Sequence, residues 1–308
     1  MPLFTDKKGL KPVKERPFSK EKDMQKIVEV NLPAIFGLRY VTSEFAPQGD
    51  LRIDTLAYDA EQGSFVIVEY KKGHSWSVVD QGYAYLALML NNKADFVLKF
   101  NECMGKNYNL KDIDWEASRV IFIAPSFNSF QRESLGFQDQ PFGLWEIRQY
   151  DGNIVSLNEL QASKRNAKLS DVNLGNTEVQ RVQREVKKYA VDDHFSKNWD
   201  LSRDLFDKLA PEIMDLDSRF KMKPVKYYIA FQINGSNVVT IRTRKASLEM
   251  DFVRMQPKDF KDPQKRVRYR SKSHRYFHVH ISRMTITSEE DISYAVMLAK
   301  KTLQKFDQ

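Results

Sequence analysis

The sequence has almost no cysteine, no long apolar run and no phosphate-binding loop of the Walker type. Its 308 residues include one cysteine, Cys103, so no disulfide can form within the chain, and we expect a reducing, cytoplasmic compartment. The longest clean apolar stretch, 84–90, is far short of the roughly 20 residues that a membrane-spanning helix needs. Residues 1–23 contain no apolar segment of signal-peptide length. These absences argue against a disulfide-rich scaffold, a membrane transporter and an ATP-driven enzyme.

Positive charge is in excess, and the excess is concentrated in one region. The net charge is +8, from 49 Lys and Arg against 41 Asp and Glu. Residues 221–283 hold 16 Lys and Arg against 4 Asp and Glu, a net charge of +12, so the rest of the chain carries −4. A regional excess of this size suits a polyanion such as nucleic acid, while a solvated surface with loops is the alternative.

Helical and strand-like patterns predict an α/β sandwich in the first half of the chain. Apolar residues recur at helical spacing from residue 19 until Pro33 and Gly37, which predicts the first helix. Three strands, a helix and a further strand are then predicted at 38–45, 51–58, 64–71, 77–93 and 94–100. Two more strands, at 119–127 and 142–157, flank a short helix near Gln131 and extend the same sheet.

The second half of the chain predicts a separate small α+β domain. Residues 161–178 lose hydrophobic periodicity and gain Ser, Asn and Lys, which indicates a linker between domains 1–160 and 179–308. Beyond it, helices are predicted at 178–190, 202–216 and 288–306, and strands at 224–235, 236–244, 246–255 and 276–284.

Two acidic residues and a lysine are placed at the end of a predicted hairpin. If Asp59 and Ser64 close the hairpin, Asp54 lies opposite Glu69, with their Cβ atoms roughly 4.5 to 5.5 Å apart. A hairpin loop one residue shorter would make the two acids diagonal, still within reach of a common ion. Carboxylates that close repel each other unless a positive group such as a divalent metal lies between them. Lys71 shares the sheet face of Glu69. The alternative is an ordinary ion pair of Asp54 with Lys71, with Glu69 in solvent.

These residues resemble the PD-(D/E)XK nuclease superfamily, which has the restriction-endonuclease-like fold. The resemblance covers roughly residues 20–150 and rests on Asp54, followed by Glu69-Tyr70-Lys71 at the end of an apolar strand. It implies an αβββαβ core with a mixed central sheet. It also implies that Asp54, Glu69 and the Tyr70 carbonyl bind Mg²⁺, with Mn²⁺ as a substitute, and that Lys71 orients or activates the attacking water.

Further positions match the superfamily less uniformly. An acid in the first helix often completes the site, and Glu29 is in the right element, whereas Ile53 stands where many members have proline. Gln81 and Tyr85 lie four residues apart on one helix face and resemble the Q-x-x-x-Y motif of the RecB-like and Cas4-like branches. The resemblance implies that both support the site. As the alternative, Tyr85 is a core residue and Gln81 a capping residue.

Basic and aromatic residues alternate near the end of the second domain. This arrangement allows phosphate contacts beside base stacking, although a flexible basic loop explains the same residues. The candidate nucleic-acid-binding residues are Lys72, Lys265, Arg266, Arg268, Arg270, Lys272 and Arg275. The second domain resembles a small domain of unassigned function that is attached to bacterial nuclease-like proteins, and this resemblance implies no mechanism.

The sequence thus predicts a cytoplasmic, Mg²⁺-dependent DNA nuclease with a basic accessory domain. Its expected partner is DNA or another nucleic acid, without a membrane, and a homodimer is possible. Two alternatives stay open, a non-catalytic nucleic-acid-binding protein on a nuclease-like scaffold and a scaffold protein that binds an acidic partner.

Overall fold

The computed structural model describes residues 3–6, 9–47, 51–73, 77–134, 140–160, 177–270 and 279–307. The chain folds as two compact units, Met1–Lys188 and Tyr189–Gln308. Most of the predicted linker, 161–176, lies outside the described residues, so it stays a prediction.

The first unit is a mixed α/β fold, the class expected from the sequence. Its helices are α1 (Glu21–Phe36), α2 (Val78–Asn91), α3 (Lys93–Met104), α4 (Ser129–Ser134) and α5 (Thr177–Glu185). Its strands are β1 (Phe4–Thr5), β2 (Lys11–Pro12), β3 (Glu15–Arg16), β4 (Arg39–Phe45), β5 (Ile53–Asp59), β6 (Ser64–Tyr70), β7 (Arg119–Ala124), β8 (Phe142–Tyr150) and β9 (Ile154–Glu159). Short 3-10 turns lie at Leu110–Asp112 and Trp115–Ala117.

One seven-stranded mixed sheet organises this unit. The strand order is β3-β8-β7-β6-β5-β4, with β9 paired to β8, while β1 and β2 form a separate pair. Strands β4, β5 and β6 are antiparallel neighbours, whereas β6, β7 and β8 run parallel. The C-terminal ends of β6, β7 and β8 therefore lie side by side at the same end of the sheet.

Helix α1 forms because its buried side chains recur every four residues. Met24, Val28, Leu32 and Phe36 are buried in one stripe. The helix ends at Gly37, whose φ of 67° lies in the left-handed region that glycine adopts without strain. The sequence predicted that Pro33 helps to end this helix. That was wrong, because Pro33 lies inside the last turn.

The β5–β6 hairpin has the predicted register. Asp59 pairs with Ser64 and Thr55 pairs with Val68. The same register continued by one residue places Asp54 opposite Glu69.

The predicted strand at 94–100 was wrong, because these residues belong to helix α3. Phe96, Val97 and Phe100 are buried whereas Leu98 is exposed, which is the spacing of a helix face. The strand that follows the helices is β7, and it pairs in parallel with β6.

Two hydrophobic cores cover the two faces of the sheet. Phe65 and Ile67 pack with residues of α2 and α3, and Val66, Val68 and Tyr70 pack with residues of α1. Because strand side chains alternate, Glu69 lies on the α2 face of β6. This arrangement fixes which helix can contact the predicted site.

Helix α5 is part of the first unit. Val182 in α5 and Val186 just after it are buried in the core that contains residues of α2 and α3, and Lys93 pairs with Glu185 at 2.8 Å. The predicted domain boundary at residue 179 therefore falls inside this helix, whereas the compact units divide after Lys188.

The second unit is an antiparallel sheet with helices against one face. It contains α6 (Asp200–Met214), α7 (Glu290–Phe306), β10 (Lys221–Val225), β11 (Tyr228–Ile233), β12 (Ser236–Arg244), β13 (Ser247–Val253), β14 (Arg268–Tyr269) and β15 (Ile281–Ile286), with 3-10 turns at Val191–His194 and Pro257–Asp259. The strand order is β10-β11-β12-β13-β15-β14. The predicted strand 224–235 was wrong as a single element, because the chain turns between β10 and β11 and the two strands pair with each other.

Candidate active site

The predicted acids and the lysine come together at the end of the β5–β6 hairpin. Lys71 Nζ lies 2.6 Å from Glu69 Oε1, and Asp54 Oδ2 accepts a hydrogen bond from the Tyr70 backbone N–H at 3.1 Å. Glu69 is only 2% exposed, and Asp54 is half-buried. The hairpin thus holds two carboxylates and one ammonium group at the edge where β6 ends.

Both carboxylates are held where their negative charge is unfavourable. Burial, with the nearby Asp54 charge as the second cause, raises the pKa of Glu69 to about 7. Burial also raises the pKa of Asp54, although the Tyr70 hydrogen bond and Lys71 oppose the shift. The site would therefore gain from a further positive charge.

Lys71 keeps its proton in this site. Burial lowers the pKa of Lys71, but the hydrogen bond and charge of Glu69, together with the charges of Asp54 and Glu21, outweigh it, so the net shift is upward. The lysine is therefore a positive charge and a hydrogen-bond donor at neutral pH rather than a base.

One oxygen of Glu69 has no fully formed hydrogen bond among the described residues. Glu69 Oε2 is buried and has no partner at hydrogen-bonding geometry there, although the Tyr85 hydroxyl lies close enough to lower the pKa of Glu69. A buried acceptor of this kind is costly unless a ligand or ion binds it. Carboxylate oxygens are the ligands that Mg²⁺ prefers, so the pair Asp54 and Glu69 fits that ion. No group of three or more His, Cys, Asp or Glu side chains that could hold a metal is gathered among the described residues.

Tyr70 is in the site only through its backbone. Its side chain is 1% exposed and packs on the α1 face, away from Glu69 and Lys71. Its N–H positions the Asp54 carboxylate, and the role of its carbonyl as a metal ligand stays a prediction.

Glu29 lies in a hydrogen-bond network on the α1 side of the hairpin. Its Oε1 accepts hydrogen bonds from Gln25 at 2.8 Å, Ser43 at 2.6 Å and Thr55 at 2.7 Å. Gln25 also donates to the Asp54 backbone carbonyl at 2.9 Å, so it connects Glu29 with the strand that carries Asp54. Sequence reasoning missed Gln25, although a glutamine beside the apolar stripe of α1 is the signal that could have found it.

Tyr85 and Gln81 lie differently with respect to the acids. Tyr85 is buried, and its hydroxyl lies close to Glu69. Burial, followed by the charge of Glu69, raises the pKa of this hydroxyl. Gln81 is half-buried, and its Oε1 has no hydrogen-bond partner among the described residues. Tyr85 thus belongs to the acid cluster, and the function of Gln81 stays a prediction.

The candidate nucleic-acid-binding residues belong to both units and differ in their partners. Lys72 Nζ donates to the Ser19 carbonyl, Arg266 pairs with Asp291, and Arg270 pairs with Asp251. Lys265 and Arg268 are exposed, and Lys272 and Arg275 lie outside the described residues. The charges of Arg266 and Arg270 are therefore engaged within the second unit, so their expected phosphate contacts stay predictions.

The fold and the site define a mixed α/β protein with a carboxylate pair, Glu69 buried and Asp54 half-buried, and a lysine at the end of a hairpin. By sequence, the chain belongs to the same family as a Haemophilus influenzae protein described as an "Uncharacterized protein", to which it is 34% identical over 305 residues, covering 99% of this chain and 100% of that protein. Residues 191–300 match the family described as a domain of unknown function, DUF5655. This match agrees with the resemblance expected for the second domain.

A solved structure titled "Structure of EndoMS-dsDNA2 complex" also matches the chain. The sequence identity is 20%, the TM-score is 0.27, and the match covers 42% of this chain and 44% of that chain. A likeness this weak supports no inference about fold or function. No helix in the described part of the chain is long and apolar enough to cross a membrane.

Proposed function

We propose that this protein is a Mg²⁺-dependent nuclease of the PD-(D/E)XK type that hydrolyses DNA. The observation that carries the proposal is the hairpin end, where the register places Asp54 opposite Glu69, Glu69 Oε2 is buried with no hydrogen-bond partner among the described residues, and Lys71 lies against Glu69 Oε1. Ionisable side chains whose pKa values are shifted by burial and by each other's charge are a feature of catalytic sites.

The order of elements around the site supports the same reading. Helix α1 precedes the antiparallel strands β4, β5 and β6, and helices α2 and α3 then lead to β7, which runs parallel to β6. This is the αβββαβ order with a mixed sheet that the resemblance implies, with an additional helix before the last strand.

Each residue of the site has a chemical role in this proposal. Asp54 and Glu69 would hold Mg²⁺, which supplies charge stabilisation at phosphoryl oxygens and lowers the pKa of water. Lys71, protonated and movable, donates to a phosphate or water oxygen and balances the charge of Glu69. Gln25 and Tyr70 N–H hold the strand and carboxylate of Asp54 in place.

The test is cleavage of a panel of single-stranded and double-stranded DNA and RNA by the full chain, with MgCl₂, with MnCl₂ and with EDTA. We expect Mg²⁺-dependent cleavage of DNA. Asp54→Asn and Glu69→Gln should each lower it by about a hundredfold or more, because each removes a charged metal ligand. Glu102→Gln removes an exposed carboxylate of α3 and should leave cleavage unchanged.

Two results would contradict the proposal. One is cleavage by Asp54→Asn or Glu69→Gln at the wild-type rate. The other is a wild-type protein that cuts no substrate in Mg²⁺ or Mn²⁺. Salt-sensitive DNA binding without cleavage would then favour the non-catalytic nucleic-acid-binding protein, and absence of DNA binding would favour the partner-binding scaffold.

A further inference from the structure

Four arginines and two acids meet on the outer face of the sheet in the second unit. Arg283 donates to both oxygens of Asp251 and to Glu249 Oε2, Arg270 donates to Asp251 Oδ2 at 3.2 Å, and Arg244 donates to Glu249 Oε2 at 3.0 Å. The fourth arginine, Arg242, lies directly opposite Glu249 in the β12–β13 ladder. We call these six residues the arginine cluster.

Arg242 differs from the other three arginines because, in the part of the chain that the structure describes, no acid forms an ion pair with it. Both acids of the cluster are already bound by Arg283, Arg270 and Arg244. The Nε of Arg242 is buried and, among the described residues, has no hydrogen-bond partner. Its guanidinium lies over the Tyr228 ring, 5.9 Å from the centroid. A buried guanidinium donor without an acceptor is costly, so it indicates a ligand that supplies one.

The electrostatics of the cluster favour an anion. It holds four guanidinium groups against two carboxylates, a net charge of +2. Burial lowers the pKa of Arg242, and the charges of Arg283 and Arg270 lower it further, although Asp251 opposes them. Asp251 is 1% exposed and holds two of the arginines in fixed orientations. The positive excess is therefore preorganised rather than spread over mobile side chains.

We propose that Arg242, supported by Arg283 and Tyr228, is an anion site that binds a phosphate group. Phosphate has several oxygens that match the planar fork of a guanidinium, and Arg is the side chain that recognises this geometry best. The aromatic ring of Tyr228 supports the guanidinium from below. The phosphate could belong to a nucleic-acid backbone or to a small phosphorylated molecule, which have the same chemistry at this site.

The inference goes beyond the proposed nuclease activity and does not depend on it. The arginine cluster lies in the second unit, whereas the carboxylate pair lies in the first. Glu69→Gln should therefore keep phosphate binding in full, so the two proposals can fail separately.

The first experiment measures binding of inorganic phosphate to the full chain by calorimetry and by thermal unfolding, against chloride at equal ionic strength. Wild type should be stabilised by phosphate. Arg242→Gln should raise the dissociation constant for phosphate about tenfold or more, the loss expected for a charge-assisted hydrogen bond. In buffer without phosphate it should be at least as stable as wild type, because it removes a buried donor that lacks an acceptor.

Two further variants control for charge and for folding. Lys300→Gln removes the same charge from an exposed position of α7 and should keep the wild-type response. Arg242→Lys keeps the charge without the planar fork, so its loss should be smaller than that of Arg242→Gln. A wild type that responds to phosphate no more than to chloride, or an Arg242→Lys or Arg242→Gln protein with wild-type phosphate affinity, would overturn the proposal.

A second experiment identifies the source of the phosphate. Binding of a 5′-mononucleotide and of a short DNA oligonucleotide is titrated at several salt concentrations. If the oligonucleotide is the source, Arg242→Gln should weaken its binding and flatten the salt dependence of log K by about 0.7 to 0.9. If the source is a small molecule, the variant should lose the mononucleotide and leave oligonucleotide binding unchanged. If Arg242→Gln binds both the mononucleotide and the oligonucleotide as tightly as wild type, the result would count against the site.

Discussion

At the scale of single residues, Glu69 is an acid whose burial opposes its charge. The pKa of Glu69 is raised to about 7 from an ordinary value of 4.5, first by burial and then by Asp54. Between pH 4.5 and about 7, the Glu69 carboxyl of the metal-free folded protein therefore stays protonated, whereas in the unfolded chain it has lost its proton. The stability cost of ionising Glu69 is absent below pH 4.5, grows as the pH rises towards 7, and reaches about 3 kcal/mol above it.

Replacing Glu69 should remove this cost. We expect Glu69→Gln to be more stable than wild type by about 1 to 3 kcal/mol at pH 8 in EDTA, and to show a weaker pH dependence between 4.5 and 7. Urea unfolding of both proteins at several pH values measures the difference. Glu102→Gln, an exposed control, should follow wild type, and a Glu69→Gln protein less stable than wild type at pH 8 would contradict this account.

At the scale of elements, the start of helix α7 is fixed by one carboxylate. Asp291 Oδ2 accepts hydrogen bonds from the backbone N–H groups of Thr287 at 2.7 Å and Ser288 at 3.2 Å, and Asp291 Oδ1 accepts one from Arg266 at 2.6 Å. Asp291 is only 6% exposed. Arg266, expected as a phosphate contact, thus connects the chain before β14 with this helix.

Asp291→Asn should destabilise the second unit. The Arg266 hydrogen bond, followed by those from Thr287 and Ser288, holds the pKa of Asp291 well below its usual range. Wild type therefore has this stabilisation above pH 4 and loses it as the pH falls further. At pH 7 the variant should lose about 1 to 3 kcal/mol in urea unfolding, because the buried Asp291 side chain loses the charge that strengthens its hydrogen bonds with Thr287, Ser288 and the half-buried Arg266.

The control for that experiment is the neighbouring arginine. Arg268 is exposed, so Arg268→Gln should change the free energy of unfolding by less than about 0.5 kcal/mol. Equal stability of Asp291→Asn and wild type at pH 7 would mean that Arg266 is free to contact phosphate.

At the scale of the whole molecule, the two units have separate hydrophobic cores. The cores on both sheet faces of the first unit draw on residues up to Val186, and the core of the second unit draws on residues from Leu205 to Leu303. Helix α5 completes the first unit, where Arg181 and Gln183 also donate hydrogen bonds to Asn91 and Tyr83.

A fragment ending at residue 188 should therefore fold more stably than one ending at residue 176. The shorter fragment lacks Val182 and Val186, whose burial stabilises the core by about 3 kcal/mol or more. Urea unfolding of the two fragments, followed by circular dichroism, gives the difference. Equal stability would place α5 outside the first unit and return the boundary to the predicted linker.

The sequence by itself determined the features that depend on local geometry. The register of the β5–β6 hairpin was predicted on the condition that Asp59 and Ser64 close a four-residue loop, which the structure confirms. The alternation of strand side chains then placed Glu69 and Lys71 on one face. The amphipathic pattern of α1 likewise predicted a helix and its buried stripe. Backbone periodicity and turn length are set by neighbouring residues, so a pattern of a few residues suffices.

Only the tertiary structure decided which distant groups meet. The sequence predicted a strand at residues 94–100. In the structure these residues form part of helix α3, because its helical spacing buries Phe96 and Phe100 together in the core. Gln25 binds the carbonyl of Asp54, 29 residues away, and Arg266 binds Asp291, 25 residues away. A local pattern fixes the face on which a side chain lies but not the partner that the fold brings to it. The buried Glu69 Oε2 and Arg242 Nε, which have no hydrogen-bond partner among the described residues, could therefore be found only in three dimensions.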